Sequence, residues 1–457
     1  MDFPLIAAIA TPEGTGGIAI IRVSGEGSWA LIEKIFQAKK PFSLKTAAGF
    51  RLHYGHIVDG GKVYDEVLLA LMKENQSYTR EEMAEIQCHG GFLAARRILE
   101  LLLVHGAQLA QPGEFTKRAF FNGRIDLSQA EAVIETIRAM DEKDLDFSLT
   151  RLKGDKGRSF LKIRDDLVAL IAETEAVIDF PEDGLDDTVA NTIHQRVFAL
   201  IEAMEREIRK AEEGKIYRQG IATAILGKTN VGKSSLMNAL LSEERAIVTD
   251  IPGTTRDVIE DTVLLKGIPL KIRDTAGIRE TEDPIEKIGV DKTREAMEKA
   301  DLILFVTDQD DGFDAEEREI MADFGSKKVI VVCNKSDLIL YDEDKMKRAA
   351  APYPVVFLSA KEKQNLETLG ETIQALFMAG EITQNSDEWV GNLRHKEAFL
   401  RAKSHLKEVL RSQKQHMPLD FQVIDLRAAL ETLGEIDGVT VSMEILDRIF
   451  SEFCIGK

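Results

Sequence analysis

A chain of 457 residues, 44% of them apolar, has material for roughly three globular domains and for more than one buried core. Asp and Glu number 78 against 59 Lys and Arg, so the net charge of −19 excludes binding of nucleic acid through overall positive charge, leaving only a local basic patch or a basic partner. Cys88, Cys333 and Cys454 lie far apart with no CxxC pair, which excludes a disulfide framework or a cysteine zinc site and points to a reducing compartment. The start carries Asp2 where an export signal has basic residues, and no stretch reaches the length of a membrane span. The expectation is a cytoplasmic protein with no membrane attachment.

Up to about residue 118, short apolar runs alternate with glycine turns. The runs at 18–23, 56–58 and 66–71 predict strands, with a helix or two, in an α+β domain. From Ser128, with Glu131 three residues on as a capping box, the spacing turns helical and stays so to about Val177. Residues 180–184, FPEDG, predict a break, and a further helix is predicted from about Val189 to Glu213, closed by Gly214. From Gly220 the rhythm changes to apolar strands at 221–226, 270–272, 302–306, 329–332 and 355–358, alternating with helices, the pattern of a doubly wound, mostly parallel α/β sheet. Helices return at 392–412 and 420–433. Neither flanking helical segment makes a rich core alone. The expected fold is therefore multidomain: an α+β domain at 1–118, an all-α domain in two segments at 119–215 and 380–457, and an inserted α/β P-loop domain at 216–379.

GKTNVGKS at 227–234 fits GxxxxGK[ST] and lies between a predicted strand and the helix at 235–240, where the mechanism requires it. Backbone N–H groups from Asn230 to Ser235, taking in Val231 and Gly232, would face phosphates at a helix N-terminus. Lys233 would place its charge on the β and γ phosphates, and the Ser234 hydroxyl can ligate magnesium. Asp274, Thr275, Ala276 and Gly277 follow a predicted strand and supply a DxxG, whose carboxylate lies near magnesium and whose backbone N–H lies near the γ-phosphate. Asn334, Lys335, Ser336 and Asp337 form an NKxD directly after another strand. The Asp337 carboxylate can accept both the ring N–H and the exocyclic amine of guanine, a pattern adenine lacks, so the motif selects GTP over ATP. Ser359, Ala360 and Lys361 add a backbone contact near the base. Each string alone is an ordinary strand-end loop; four in order at carboxyl ends of strands mark a guanine-nucleotide site.

TDIPGTTRD at 249–257 is a polar loop of the kind that orders around a γ-phosphate, with a threonine positioned for magnesium. After the DxxG stands Ile278, where well-known signalling GTPases place a glutamine that orients the attacking water, so another group must do that work.

GKTNVGKS, TDIPGTTRD, DTAGIRE and NKSD, the terminal CIGK, and the stretches 11–19 (TPEGTGGIA) and 112–120 (PGEFTKRAF) together resemble the tRNA modification GTPase family MnmE, also called TrmE, over the whole chain. The resemblance implies a homodimeric GTPase whose nucleotide domains are activated by pairing around a potassium ion. Potassium would be held by Asn230, Thr249, Ile251 and Thr254, and magnesium by Ser234 and Thr255. Glu286 matches the family's catalytic glutamate, which orients the water; without the family it reads as a solvated helix carboxylate, by far the commoner case for a surface glutamate. Lys228 and Thr229 stand before Asn230 where many members have a proline, and Pro252 lies inside the potassium loop, though neither removes a side-chain ligand. The family's first domain holds the dimer together and binds a tetrahydrofolate (5-formyl or methylene), at positions matching Arg22, Glu81, Arg124 and Lys457. Read without the family, Arg22 and Arg124 are surface charges. Cys454 matches a proposed participant in the modification chemistry and reads otherwise as a packing residue. With the flavoprotein MnmG (GidA), such an enzyme adds a carboxymethylaminomethyl or aminomethyl group to C5 of the wobble uridine of certain tRNAs. A ribosome-assembly GTPase shares the nucleotide motifs but usually carries a basic RNA-binding module. A folate-dependent aminomethyltransferase with a regulatory GTPase is the other rival.

Overall fold

The computed structural model describes residues 3–12, 14–40, 49–139, 142–154, 157–179, 186–243, 260–273, 297–310, 312–378 and 391–457. They fall into two compact units, one of Met1–Ile137, Arg151–Asp155 and Glu431–Lys457, the other of Arg138–Thr150 and Lys156–Leu430.

The first unit is built on a mixed sheet of β1 (Ile6–Ile9), β2 (Ile18–Ser24), β3 (Phe36–Ala38), β4 (Leu52–Asp59), β5 (Lys62–Met72), β6 (Met83–His89) and β7 (Gln108–Leu109), in the order β3-β4-β5-β6-β2-β1-β7. Period-two alternation decides which side chains are buried. In β2, Ala19, Ile21 and Val23 enter the core, while Ile18, Ile20 and Arg22 face the other way. Helices α1 (Ser28–Ile35) and α2 (Phe92–Val104) close that core with Leu31, Ile32, Ile35, Ile98 and Leu102. Two more helices follow, α3 (Glu114–Phe121) and α4 (Leu127–Arg138). The capping box of α4 is not Ser128 with Glu131. Gln129 N–H donates to Asp126 Oδ1 (2.8 Å) and Asp126 N–H donates to Gln129 Oε1 (3.0 Å), so the box sits two residues earlier. Leu127 is fully buried, and its packing brings it into the first turn and moves the cap to the residue before it.

In the second unit α5 (Glu142–Leu152), α6 (Arg158–Asp179) and α7 (Asp186–Gln219) lead into the second sheet. The predicted break at 180–184 lies outside the described residues. Gly214 does not end α7, which runs on to Gln219 and stops at Gly220, whose φ of +70° suits glycine. A glycine inside a helix costs about 1 kcal/mol. Burial of Ala211 and Tyr217 on either side of Gly214 offsets that cost and carries the helix through. The second sheet has the order β13-β12-β11-β8-β10-β9. Its elements are β8 (Ile221–Leu226), α8 (Lys233–Glu243), β9 (Glu260–Leu265), β10 (Ile268–Arg273), β11 (Leu302–Thr307), α9 (Ala315–Ala322), β12 (Lys328–Cys333), α10 (Glu343–Ala350), β13 (Val355–Phe357) and α11 (Leu366–Phe377). All pairings are parallel except the β9–β10 hairpin, whose edge strand has a polar start and was not predicted. Every residue of β11 is buried, as expected of a central strand covered on both faces.

Helices α12 (Leu393–Lys414) and α13 (Leu419–Asp437) follow; the chain returns to the first unit at Glu431, within α13, and α14 (Met443–Ser451), which the sequence reading did not separate, belongs wholly to that unit. There Leu446, Phe450 and Phe453 pack with Leu127, Ala130 and Ile134. The tail is then tied by Gly113 N–H donating to the Cys454 carbonyl (3.4 Å) and Phe115 N–H donating to the main-chain oxygen of Lys457 (3.2 Å).

Phe450 is 2% exposed and packs against Phe120 and Phe453. Phe450→Ala is expected to destabilise the first unit by about 3–5 kcal/mol and to loosen the C-terminal tail, read as a lowered denaturation midpoint and faster amide exchange at residues 452–457.

Candidate functional site

Where β8 ends, the chain must turn sharply out of the sheet between β8 and β11. Gly227 does this with a φ of +142°, and a Cβ there would stand 2.1 Å from the Val306 carbonyl oxygen, so only glycine fits. Asn230 makes the next turn with a φ of +66°, Val231 plugs into the core, and α8 begins at Lys233. Backbone N–H groups of residues 231–234 are thus gathered at a helix N-terminus, where the helix dipole favours an anion. The Lys233 amine donates to the Gly227 carbonyl (2.8 Å) and to that of Lys228, so it lies across the mouth of its own loop. Burial lowers the pKa of this amine, a penalty that phosphate charge beside it would reverse. Lys228 reaches outward to Asp314, the N-cap of α9, and to Glu316 (2.8 Å).

The base-recognition loops are joined to this loop by one side chain. Asn334, 2% exposed at the end of β12, donates from Nδ2 to the Val231 carbonyl (2.9 Å) and accepts at Oδ1 from the Ala360 N–H (3.0 Å). A Cβ on Gly232 would meet Asn334 Nδ2 at 2.1 Å, which accounts for the glycine there. Lys335, with φ +61°, donates to the Asn230 carbonyl (2.9 Å) and pairs with Asp308 (2.6 Å). Tyr341 donates its hydroxyl proton to the Asn334 carbonyl. Ser359 and Gln364 exchange main-chain bonds (3.2 and 3.0 Å), which hold Ala360 and Lys361 at the loop tip, while Asp337 is exposed beside them. Sequence reasoning missed Asp308 and Tyr341. Asp308 was findable, because it follows the carboxyl end of β11 beside the P-loop strand. Thr249, Ile251, Thr254, Thr255, Asp274, Thr275, Ala276, Gly277 and Glu286 lie outside the described residues.

The first unit gathers a second set of groups. Arg22 pairs with Glu85 (2.7 Å), its cross-strand neighbour, donates to the Gly456 carbonyl (3.3 Å) and lies 5.9 Å from the Tyr78 ring centre. Arg124 stacks on the same ring at 4.7 Å and donates to the Tyr78 carbonyl (3.1 Å). The Lys457 amine is held below its usual pKa by burial and then by the Arg22 charge. Arg22 and Arg124 are therefore brought together over Tyr78, a residue the sequence reading did not single out, with Lys457 close to Arg22. Glu81 is engaged differently. Arg118, fully buried, donates to it (3.1 Å) and to Glu114 (2.6 Å), and the Ser24 hydroxyl donates to it at 2.8 Å. Two arginines over an aromatic ring, a lysine near one of them and a positioned carboxylate in the same unit suit a ligand that combines a polar ring with carboxylates. Cys454 is exposed next to this set, whereas burial pushes the Cys88 thiol up to about 11 and that of Cys333, inside β12, up to about 12.

A doubly wound sheet whose P-loop is bolted through an asparagine to a guanine-type base loop defines a P-loop GTPase. The chain belongs to the tRNA modification GTPase MnmE family: the model described as GTP-binding protein TrmE N-terminus matches residues 5–124 and that of the MnmE helical domain matches residues 127–454. The tRNA modification GTPase MnmE of Thermoanaerobacter pseudethanolicus is 46% identical over 460 residues, and that of Geobacillus kaustophilus 43% over 460, in each case across 100% of both chains. Among solved structures, the G domain of the T. maritima FeoB iron transporter is 28% identical, covering 34% of this chain and 98% of its own with a TM-score of 0.24.

Two measurements follow. Asn334→Ala leaves the Val231 carbonyl and the Ala360 N–H without their partner, at about 1–3 kcal/mol for each buried group. Guanine-nucleotide affinity, read with a fluorescent GDP, is expected to fall by about tenfold or more. At pH 8 the two raised thiols are almost wholly protonated, so a chromogenic disulfide reagent is expected to modify Cys454 quickly in the native chain and all three cysteines only after unfolding. Fast modification of Cys88 or Cys333 would contradict the burial described.

Proposed function

We propose that this chain binds GTP at the P-loop and hydrolyses it to drive the modification of tRNA. The bridge from Asn334 to Val231 and Ala360 carries the nucleotide reading, since it assembles phosphate and base loops into one site, and the full-length similarity to MnmE proteins carries the tRNA reading. Asn230, Val231, Gly232, Lys233, Ser234 and Ser235 hold the phosphates, with Asp274 to Gly277 on the γ side. Asn334, Lys335 and Asp337, with Ser359, Ala360 and Lys361, hold guanine. Asp337 is exposed and therefore available to a base, while Asn334 and Lys335 contribute by bracing the loops around it.

Ser234 and Thr255 are the magnesium ligands, and Asn230, Thr249, Ile251 and Thr254 those of potassium. Bound there, the cations would stabilise the charge that develops on the phosphates in the transition state. The left-handed turn at Asn230 presents a side-chain amide on the phosphate loop, which suits that assignment. Glu286 orients the attacking water in place of the glutamine absent at Ile278.

Arg22, Arg124 and Lys457 bind the carboxylates of a tetrahydrofolate, and Glu81, fixed by Arg118 and Ser24, binds its ring. Cys454 stands exposed beside them and takes part in the modification chemistry. The protein acts in the cytoplasm as a homodimer with the flavoprotein MnmG, on C5 of the wobble uridine.

GTP hydrolysis by the purified chain, compared in potassium and sodium at equal ionic strength with magnesium present, is expected to be faster in potassium by tenfold or more, which corresponds to about 1.4 kcal/mol of transition-state stabilisation. Equal rates would sink the potassium mechanism and favour an external activating partner.

A further inference from the structure

Acids outnumber bases across this chain, yet α12 carries seven lysines and arginines against two glutamates, a net charge of +5. The following α13 carries five acids and one arginine. Arg394 lies against His395 at the start of the helix, and packing divides the other six cations of α12 into two sets. Ala398, Phe399, Ala402, Leu406 and Val409 are buried, and α7 runs antiparallel alongside, as contacts of Lys396 with Glu212 (2.7 Å), Lys403 with Glu205 (3.5 Å) and Gln413 with His194 (3.1 Å) show. Lys396 and Lys403 are thereby neutralised within the fold.

Arg401, Lys407, Arg411 and Lys414 are exposed instead, along with Ser404. Positions 404, 407, 411 and 414 follow the three- and four-residue spacing that aligns side chains on one helix face. The helix dipole accounts for cations in the last turn, at Arg411 and Lys414, but not for Lys407 in the middle. Arg411 has Glu408 at 3.5 Å, an exposed pair worth little. Glu397 and Glu408 are exposed on the same helix, toward its Arg401 side, and the end at Lys407, Arg411 and Lys414 keeps an excess of positive charge.

We propose that this outward stripe of α12, centred on Lys407, Arg411 and Lys414, is a docking surface for the phosphate backbone of tRNA. The three span about 10 Å of helix, enough to meet successive phosphates of one strand. A strongly anionic protein can hold a polyanion only through such a segregated patch. The proposal rests on the tRNA reading above.

The test compares two variants of equal charge change in the full chain, Lys407→Gln/Lys414→Gln on the stripe and Lys396→Gln/Lys403→Gln on the α7 side. Binding of unfractionated bacterial tRNA is titrated with sodium chloride in the absence of nucleotide. The stripe variant is expected to make the slope of log affinity against log salt shallower by about 1.5 and to lower affinity near 0.1 M salt by about tenfold, with basal GTP hydrolysis unchanged and the α7-side variant close to wild type. Equal effects of the two variants, or none from the stripe, would overturn the proposal while leaving the tRNA reading intact. Absence of salt-dependent tRNA binding by the wild type would overturn both. If the stripe variant keeps its tRNA affinity but no longer captures the flavoprotein, the face belongs to a protein partner and the proposal falls.

Discussion

The side-chain amide of Asn334 joins loops that three different strands deliver separately: the P-loop after β8, its own loop after β12, and the tip after β13. Each bond is worth about 1 kcal/mol net, but all are buried, so the loss of one leaves a polar group without water. The surrounding geometry follows from it. Gly232 has no room for a Cβ because Asn334 Nδ2 occupies that space, and Gly227 has none because Val306 does. Lys335 adds a second tie, from Asn230 to Asp308, so the signature lysine of the motif braces the phosphate loop. The P-loop and the two base loops are thus tied to one another directly, which lowers the ordering cost of binding there.

A comparable economy governs the first unit. Its buried Arg118 is charged, and burial of an unpaired guanidinium would be prohibitive, so Glu81 and Glu114 must stay beside it. That requirement fixes the Glu81 carboxylate, which the Ser24 hydroxyl also holds. The C-terminal tail reaches the same place because the aromatic residues of α14 pack under α4, and two main-chain bonds then fasten Cys454 and Lys457. Packing far from the chemistry positions the last residues of the chain.

Charge is also sorted. Lysines of α12 that face α7, Lys396 and Lys403, are matched by glutamates of that helix, whereas Lys407 and Lys414 face outward. The net charge of −19 is an average that hides this separation, and an interaction with a polyanion depends on the local field within about a Debye length, not on the sum.

From sequence, the nucleotide site was legible because its chemistry is local: a glycine turn, a lysine and a helix start lie within eight residues, and strand periodicity places each loop at a carboxyl edge. The strands Ile18–Ser24 and Leu302–Thr307 were legible for the same reason, since alternation and continuous burial are written in adjacent residues. Helix ends were not. Gly214 reads as a stop and Ser128 as a cap, but burial of Tyr217 and Leu127 decided otherwise, and burial depends on elements far away in the chain. Likewise, composition alone could not pair Arg118 with Glu81, set Arg22 and Arg124 around Tyr78, or tell an inward lysine of α12 from an outward one. Motif and period determined what kind of protein this is; only the tertiary structure decided which charges meet, because that depends on distances between residues hundreds of positions apart.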